Sequence, residues 1–444
     1  MTGPVVRPGS RPPPGAARRA VIAWCLYDTA NSAIPAVITT FVFATYFTQA
    51  VAVDATTGTA QWSMAVTLSA LAVALLSPAL GAIADAAGRR KPWLLFFTAV
   101  SVLGCALLWF VPPTAEGGTP GPGVVLYALI VFGVVNAAFE MAIVFYNAML
   151  PDLVPPARLG RLSGWAWGAG YAGGLVCLVV VLFAFVQADP VPFGLDKAMA
   201  EHVRASGPIS GLWYALFALP LFFWTPDRKR TGLGAGTALR QGLSTLANSL
   251  RNLRSYGGVL RYLIARMLYT DGLNTLFAFG GIYAAGTFGM AIEEVLMFGI
   301  ALNVTAGLGA FGFAWIDDAI GAKPTVVIAL VAIMAISTGL LIVESKDWFW
   351  GLGLCLGAFF GPAQAASRSL MARLAPREMA AEMFGLYALS GKATTFMGPM
   401  VLGWVTLIAD SQRVGMATIL IFLVAGLILL LGVREPRSGK APTV

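Results

Sequence analysis

Six ionisable side chains stand where ionisable groups are rare. Asp28, Glu140, Arg266, Asp271, Arg368 and Lys392 all fall inside long apolar stretches of the chain. A charge near the centre of a bilayer costs at least roughly 2.5–3.5 kcal/mol, so six of them are expected to face one another or water, not lipid. Three are acidic and three basic, so the set can neutralise itself. Polar residues keep them company at helical spacing. Asp28 and Asn31 share a face, as do Asp271 and Asn274. Glu140 and Asn147 share one as well, with Tyr146 beside them, and Gln364 and Ser367 accompany Arg368. Tyr171, among closely spaced glycines, is a further candidate for contact with a solute.

Two kinds of chemistry suit this set. A carboxylate–ammonium solute could be held by Arg368 or Lys392 at one end and by Asp28 or Glu140 at the other. Alternatively an acidic member could carry a proton and couple movement to a proton gradient. Purely internal pairing is the structural alternative, and Arg266 fits it best. It lies about seven residues from the start of its stretch, within reach of the interface by snorkelling.

The elements that must position these residues are membrane helices. Of 444 residues, 58% are hydrophobic and 11% charged, and the mean hydropathy is +0.78. A soluble domain carries about 25% charged residues. Continuous apolar runs of spanning length occupy roughly 20–50, 62–84, 92–112, 123–150, 162–187, 209–225, 259–288, 293–316, 323–343, 348–374, 383–409 and 413–433. This is an all-α integral membrane pattern of about twelve helices, without the alternation of membrane strands. The first run is too long, and its flank too Pro-rich, for a cleavable signal. Arg and Lys collect in every second connection, as at Arg89, Arg90, Lys91, Arg158, Arg161, Arg228, Arg230 and Arg373. The positive-inside rule then places both termini and the middle loop in the cytoplasm, with a plasma or inner membrane as the site.

Several function classes are absent from the pattern. The four cysteines lie in apolar runs without metal-ligand spacing, and the single His202 lies in an outer loop. No Gly-rich ATP loop and no nucleophile motif occur. An enzyme is not expected, nor a metal, a cofactor or a nucleic-acid partner. The expected partners are a small solute, the lipid bilayer and, as a candidate, protons, for a monomeric chain.

The chain repeats itself. Leu26-Tyr27-Asp28-x-x-Asn31 is echoed by Leu268-Tyr269-x-Asp271-x-x-Asn274. Ile83-x-Asp85-x-x-Gly88-x-x-Lys91-Pro92 is echoed by Ile316-x-Asp318-x-x-Gly321-x-Lys323-Pro324. Pro155 and Gly164 are echoed by Pro376 and Gly385. The expected organisation is a disordered tail (1–19), a six-helix bundle (20–225), a cytoplasmic linker (226–258), a second six-helix bundle (259–433) and a tail (434–444). Within the linker, Leu239, Leu243, Leu246, Leu250 and Leu253 predict an amphipathic helix on the inner leaflet.

The loop Gly81-x-x-x-Asp85-x-x-Gly88-Arg89-Arg90-Lys91 resembles the signature loop of the major facilitator superfamily. That resemblance implies two pseudo-symmetric six-helix bundles and a cytoplasmic gate built from Gly81, Asp85, Gly88, Arg89 and Arg90. Asp318 is the half-copy, without the arginines, so an asymmetric gate is expected. Further segments are similar to the vacuole-effluxer permease family, named for fungal members linked to autophagy, over about residues 20 to 433. They are Trp24-Cys25-Leu26-Tyr27-Asp28-Thr29-Ala30-Asn31-Ser32, Tyr146-Asn147-Ala148-Met149-Leu150-Pro151-Asp152, Gly160-Arg161-Leu162-Ser163-Gly164-Trp165, Gly361-Pro362-x-Gln364-x-x-Ser367-Arg368-Ser369 and Phe384-Gly385-Leu386-Tyr387-x-Leu389-Ser390-Gly391-Lys392. The resemblance implies a gradient-driven permease working by alternating access. Its fungal members point to neutral amino acids, and so to small zwitterions here. The alternatives are proton-coupled export of other small organic solutes and a non-transporting membrane sensor or scaffold.

Overall fold

The computed structural model describes residues 14–114, 118, 121, 123–251 and 257–436. Residues 1–13 and 437–444, assigned above to the two tails, lie outside the described residues, as does Leu253. Among the described residues, ten helices are each long and apolar enough to cross a membrane. They are the first to sixth spans (Ala17–Val51, Ala55–Ala87, Lys91–Phe110, Val124–Leu153, Pro156–Val186, Glu201–Trp224), the eighth to tenth (Glu293–Ile320, Ala322–Ile342, Lys346–Leu374) and the twelfth (Gln412–Leu431). The seventh span, Gly257–Phe288, carries Arg261, Arg266 and Asp271. The eleventh is broken into Ala380–Lys392 and Met397–Ala409. Together they make twelve helices in two six-helix bundles. Helices are the expected outcome in lipid because each satisfies its own backbone polar groups.

Sequence chemistry sets the ends and bends. Asp54 caps the second span, accepting from the Thr57 amide at 2.8 Å. Gly88 ends that span at φ +87°, a backbone region closed to most other residues. In the first span, Pro35 lies at the start of a π-helical stretch, Ile34–Phe41, as expected where a missing N–H interrupts the ladder. The helix begins already at Pro14, which corrects the tail boundary at residue 19. Pro14 suits a first turn, and Ala16, Ala17, Arg18 and Arg19 are good helix formers.

A linker helix spans Ala235–Arg251. Its small-residue face is the buried one: Ala238 and Ser249 are covered, and Gly242 lies against Ile83 of the second span. Leu239 and Leu243 are left exposed.

The two bundles meet most tightly at the end where the basic loops collect, called here the basic end. Gly81 lies against the Ala381 backbone and Gly385 against Ser77 and Pro78, so the second and eleventh spans touch main chain to main chain. Gly160, Gly164 and Gly168 do the same for the fifth span against Asp317, Ala310, Ala314 and Gly307 of the eighth. All these contacts lie in the halves of their spans nearest the basic end.

Candidate functional site

Four of the six membrane charges pair, and both pairs bridge the bundles. Arg368 donates from Nη1 to Asp28 Oδ2 at 2.9 Å. Its Nε reaches Ser163 Oγ at 2.9 Å, and its Nη2 reaches the Ser163 carbonyl at 2.7 Å. Nη1 also reaches Asn147 Oδ1 at 3.4 Å, and Asn31 donates to Asp28 Oδ1 at 3.5 Å. The guanidinium lies over Trp24, 4.9 Å from the ring centroid, and 5.6 Å from that of Trp167. Trp24 and Tyr146 stack at 4.2 Å and exchange hydrogen bonds with each other's carbonyls. All three guanidinium nitrogens are engaged and Arg368 is only 3% exposed. It closes the seam; it is not free to meet a solute in this state.

Lys392 donates to Glu140 Oε1 at 2.6 Å, with the two side chains 25% and 23% exposed. Arg368 lies roughly two turns from the basic end of the tenth span, and Glu140 roughly three and a half turns from that of the fourth. The partly exposed pair therefore sits deeper in the bundle than the sealed one. Asn274 is exposed, and Gln364 and Tyr171 are half-buried. One turn beyond Asn274 and Gln364 begins an apolar cavity of about 420 Å³, lined by Phe277, Phe298, Leu302, Phe349, Phe360 and Ile419 among others.

The remaining two charges do not pair, so the set does not neutralise as three couples. Arg266 is buried, and its Nη1 donates to the Tyr387 carbonyl at 2.7 Å and to Ser390 Oγ at 3.0 Å. Its guanidinium lies 3.5 Å from the Tyr387 ring centroid. It does not snorkel, because the eleventh span covers it: a Cβ at Gly391 would strike its guanidinium. Asp271 is 1% exposed. Its Oδ2 accepts from the Gly398 amide at 3.1 Å, and its Oδ1 has no hydrogen-bond partner among the described residues.

The break in the eleventh span explains both. Arg266 meets the C-terminal turn of Ala380–Lys392, where the dipole is negative. Asp271 meets the N-terminal turn of Met397–Ala409, where it is positive. Each charge is matched by a helix end.

The basic end carries two ion networks related by the internal repeat. In the first, Arg90 is 1% exposed and pairs with Asp85 at 3.0 Å and Asp152 at 2.9 Å. Asp85 Oδ2 accepts from the Glu382 amide at 2.9 Å across the seam. Arg228 pairs with Asp152 and donates to the Arg377 carbonyl at 2.7 Å. Arg89 reaches Asp227 at 3.5 Å while half-exposed, and Asp227 also takes the Arg90 and Lys91 amides. In the second, Asp318 takes the Gly160 amide at 2.9 Å and pairs with Arg161 at 2.5 Å. Arg373 pairs with Asp317 at 2.7 Å and with Glu435 at 2.6 Å. Glu435 takes the Ala322 and Lys323 amides. The two networks draw their cations differently: Asp85 pairs with Arg90 of its own loop, whereas Asp318 and Asp317, whose loop lacks arginines, pair with Arg161 and Arg373 from other spans.

The candidate pathway residues therefore divide. Asp28, Asn31, Asn147 and Arg368 come together in the sealed seam. Glu140 and Lys392 meet above it, with Asn274, Gln364 and Tyr171 at partly open positions. Asp271 stands apart at the break. Sequence reasoning missed Ser163, Arg161, Arg373, Asp227 and Glu435. The last two had a signal, since Pro226 with Asp227 and Glu435 with Pro436 each follow the final span of a half.

A family model described as vacuole effluxer Atg22 like matches residues 55–442. The MFS-type transporter YxiO of Bacillus subtilis is 27% identical over 423 residues, covering 94% of this chain and 95% of that protein. Autophagy-related protein 22 of Kluyveromyces lactis is 25% identical over 386 residues, covering 79% and 74%. Among solved structures, the proton:xylose symporter XylE aligns with a TM-score of 0.71 at 14% identity, covering 95% and 96%. The transporter FucP in its outward conformation aligns with a TM-score of 0.71 at 15% identity, covering 95% and 99%. These two likenesses carry the fold alone.

Proposed function

The chain belongs to the vacuole effluxer Atg22-like family, with the major facilitator fold, and from that premise we propose that it moves small zwitterionic solutes, amino acids among them, by alternating access. It is a multi-pass membrane transporter and not an enzyme.

The observation that carries the substrate class is the partly exposed Lys392–Glu140 pair between the bundles. A zwitterion can replace that pair without changing net charge: its carboxylate takes the Lys392 ammonium and its own ammonium takes the Glu140 carboxylate. The Glu140–Lys392 bond across the seam is then released, and the bundles are freed to rock. The apolar cavity beginning one turn beyond Asn274 and Gln364 offers room for an apolar substituent. The positive-inside rule makes the basic end cytoplasmic, so the seam described is the state closed toward the cytoplasm, with Arg368–Asp28 and the two ion networks as its gate.

Counterflow in proteoliposomes with a panel of labelled neutral amino acids tests this, because exchange needs no driving gradient. Exchange by the wild-type chain, falling tenfold or more in Glu140→Gln and Lys392→Gln, is the expected result. A folded wild-type protein that exchanges none of them would overturn the substrate class.

A further inference from the structure

The seventh span holds a carboxylate that the paired charges leave out. Asp271 is 99% buried, and no cation lies within ion-pair distance of it among the described residues. Its Oδ2 accepts the Gly398 amide N–H, and its Oδ1 has no partner among the described residues. Gly398 is the second residue of Met397–Ala409, and Ala393–Phe396 form the break before it. The same break is pinned on its other side by Arg266, through Tyr387 and Ser390, and Lys392 is the last residue before it.

We infer that Asp271 is a proton-binding site, and that its protonation changes the cap on the outer half of the eleventh span and so couples transport to a proton gradient. This rests on the transporter reading above, whose solute it leaves open. The chemistry is a single reversible proton transfer to Oδ1. The ionised carboxylate is a strong acceptor for the Gly398 amide and complements the positive end of the half-helix. The neutral acid is a weaker acceptor and carries no charge to hold that end in place, while it relieves a buried, cation-free anion. Loosening the cap frees the segment that positions Lys392 against Glu140, which is how protonation of Asp271 is felt at the seam between the bundles.

The charged and titratable groups near Asp271 are held by other partners: Arg368 of the tenth span by Asp28 and Ser163, and Tyr262 of Asp271's own span by the Ser367 carbonyl. Arg266 and Tyr269 share its span. Arg266 is turned to Tyr387 and Ser390, and the Tyr269 hydroxyl bonds to Ser367 Oγ at 2.7 Å. From the eleventh span, Lys392 is taken by Glu140 and Tyr387 lies under Arg266. The twelfth span brings Phe422 and Leu423 to the neighbouring Gly272.

Hydrogen exchange over residues 393–402, expressed as protection relative to an unstructured peptide at each pH, tests the inference without any solute. In the wild-type chain, protection should fall about fivefold as pH drops, the equivalent of one lost cap. In Asp271→Asn, which keeps an acceptor but cannot ionise, it should be flat with pH, at an unchanged melting midpoint. Protection that is flat in the wild-type chain, or that titrates equally in Asp271→Asn, would overturn it. With a solute identified by counterflow, Asp271→Asn should exchange it yet fail to accumulate it under an imposed pH gradient. Absence of any wild-type exchange would remove the solute assignment while the exchange titration still decides the proton site.

Discussion

Arg368 illustrates why a buried charge cannot be read one residue at a time. Its neighbours Asp28, Asn147 and Ser163 lie on three other helices, and together they use all three guanidinium nitrogens. Removing one member of a buried pair leaves the other unpaired, typically at about 3–5 kcal/mol. Arg368→Gln is therefore expected to lower the melting temperature sharply in detergent. Asp28→Asn combined with Arg368→Gln should recover part of the loss, because neither partner is then left charged. Strict additivity of the two substitutions in a thermal-melt cycle would mean that the pair does not form. Arg368→Lys should also fail to restore function: one ammonium cannot reproduce contacts from Nε, Nη1 and Nη2.

At the scale of elements, the seam between the second and eleventh spans depends on the absence of side chains. A Cβ at Gly81 or Gly385 would overlap main-chain atoms of the facing helix. Gly81→Leu and Gly385→Leu are expected to hold the basic end apart while each bundle stays folded. A cysteine placed at Ser77, fully buried in the seam, should then react with a water-soluble maleimide at a rate at least tenfold above its rate in the unsubstituted seam. Equal rates would mean that the seam tolerates the added bulk. The linker helix obeys the same physics. Its leucine stripe was legible in the sequence, but its smallest residues decide which face packs, because only they permit close approach to Ile83.

At the scale of the whole molecule, the two halves solve one problem twice. Asp227 after the sixth span caps the third, and Glu435 after the twelfth caps the ninth. Each carboxylate takes two backbone N–H groups at a helix N-terminus. Asp227→Asn is expected to destabilise by about 1–2 kcal/mol. Glu435→Gln should cost more, since it also releases Arg373. Melting temperatures of the two variants check the order; a smaller effect for Glu435→Gln would show that Arg373 finds full compensation in Asp317.

The sequence by itself determined twelve membrane helices, their duplication and which ionisable residues fall within them. Apolar length and the repeat of Asp85 in Asp318 are local, periodic properties, and lipid leaves a spanning chain little choice but helix. It also marked both membrane tyrosine–aspartate motifs, Tyr27-Asp28 and Tyr269-x-Asp271. Which charges meet was decided only by the tertiary structure. Arg368 and Asp28 are 340 residues apart, and Lys392 and Glu140 are 252 apart. Arg266 and Asp271, five apart on one helix, are answered by helix ends and not by each other. Pairing across such separations depends on how two bundles dock and where one helix breaks, and neither leaves a period or a motif in the chain.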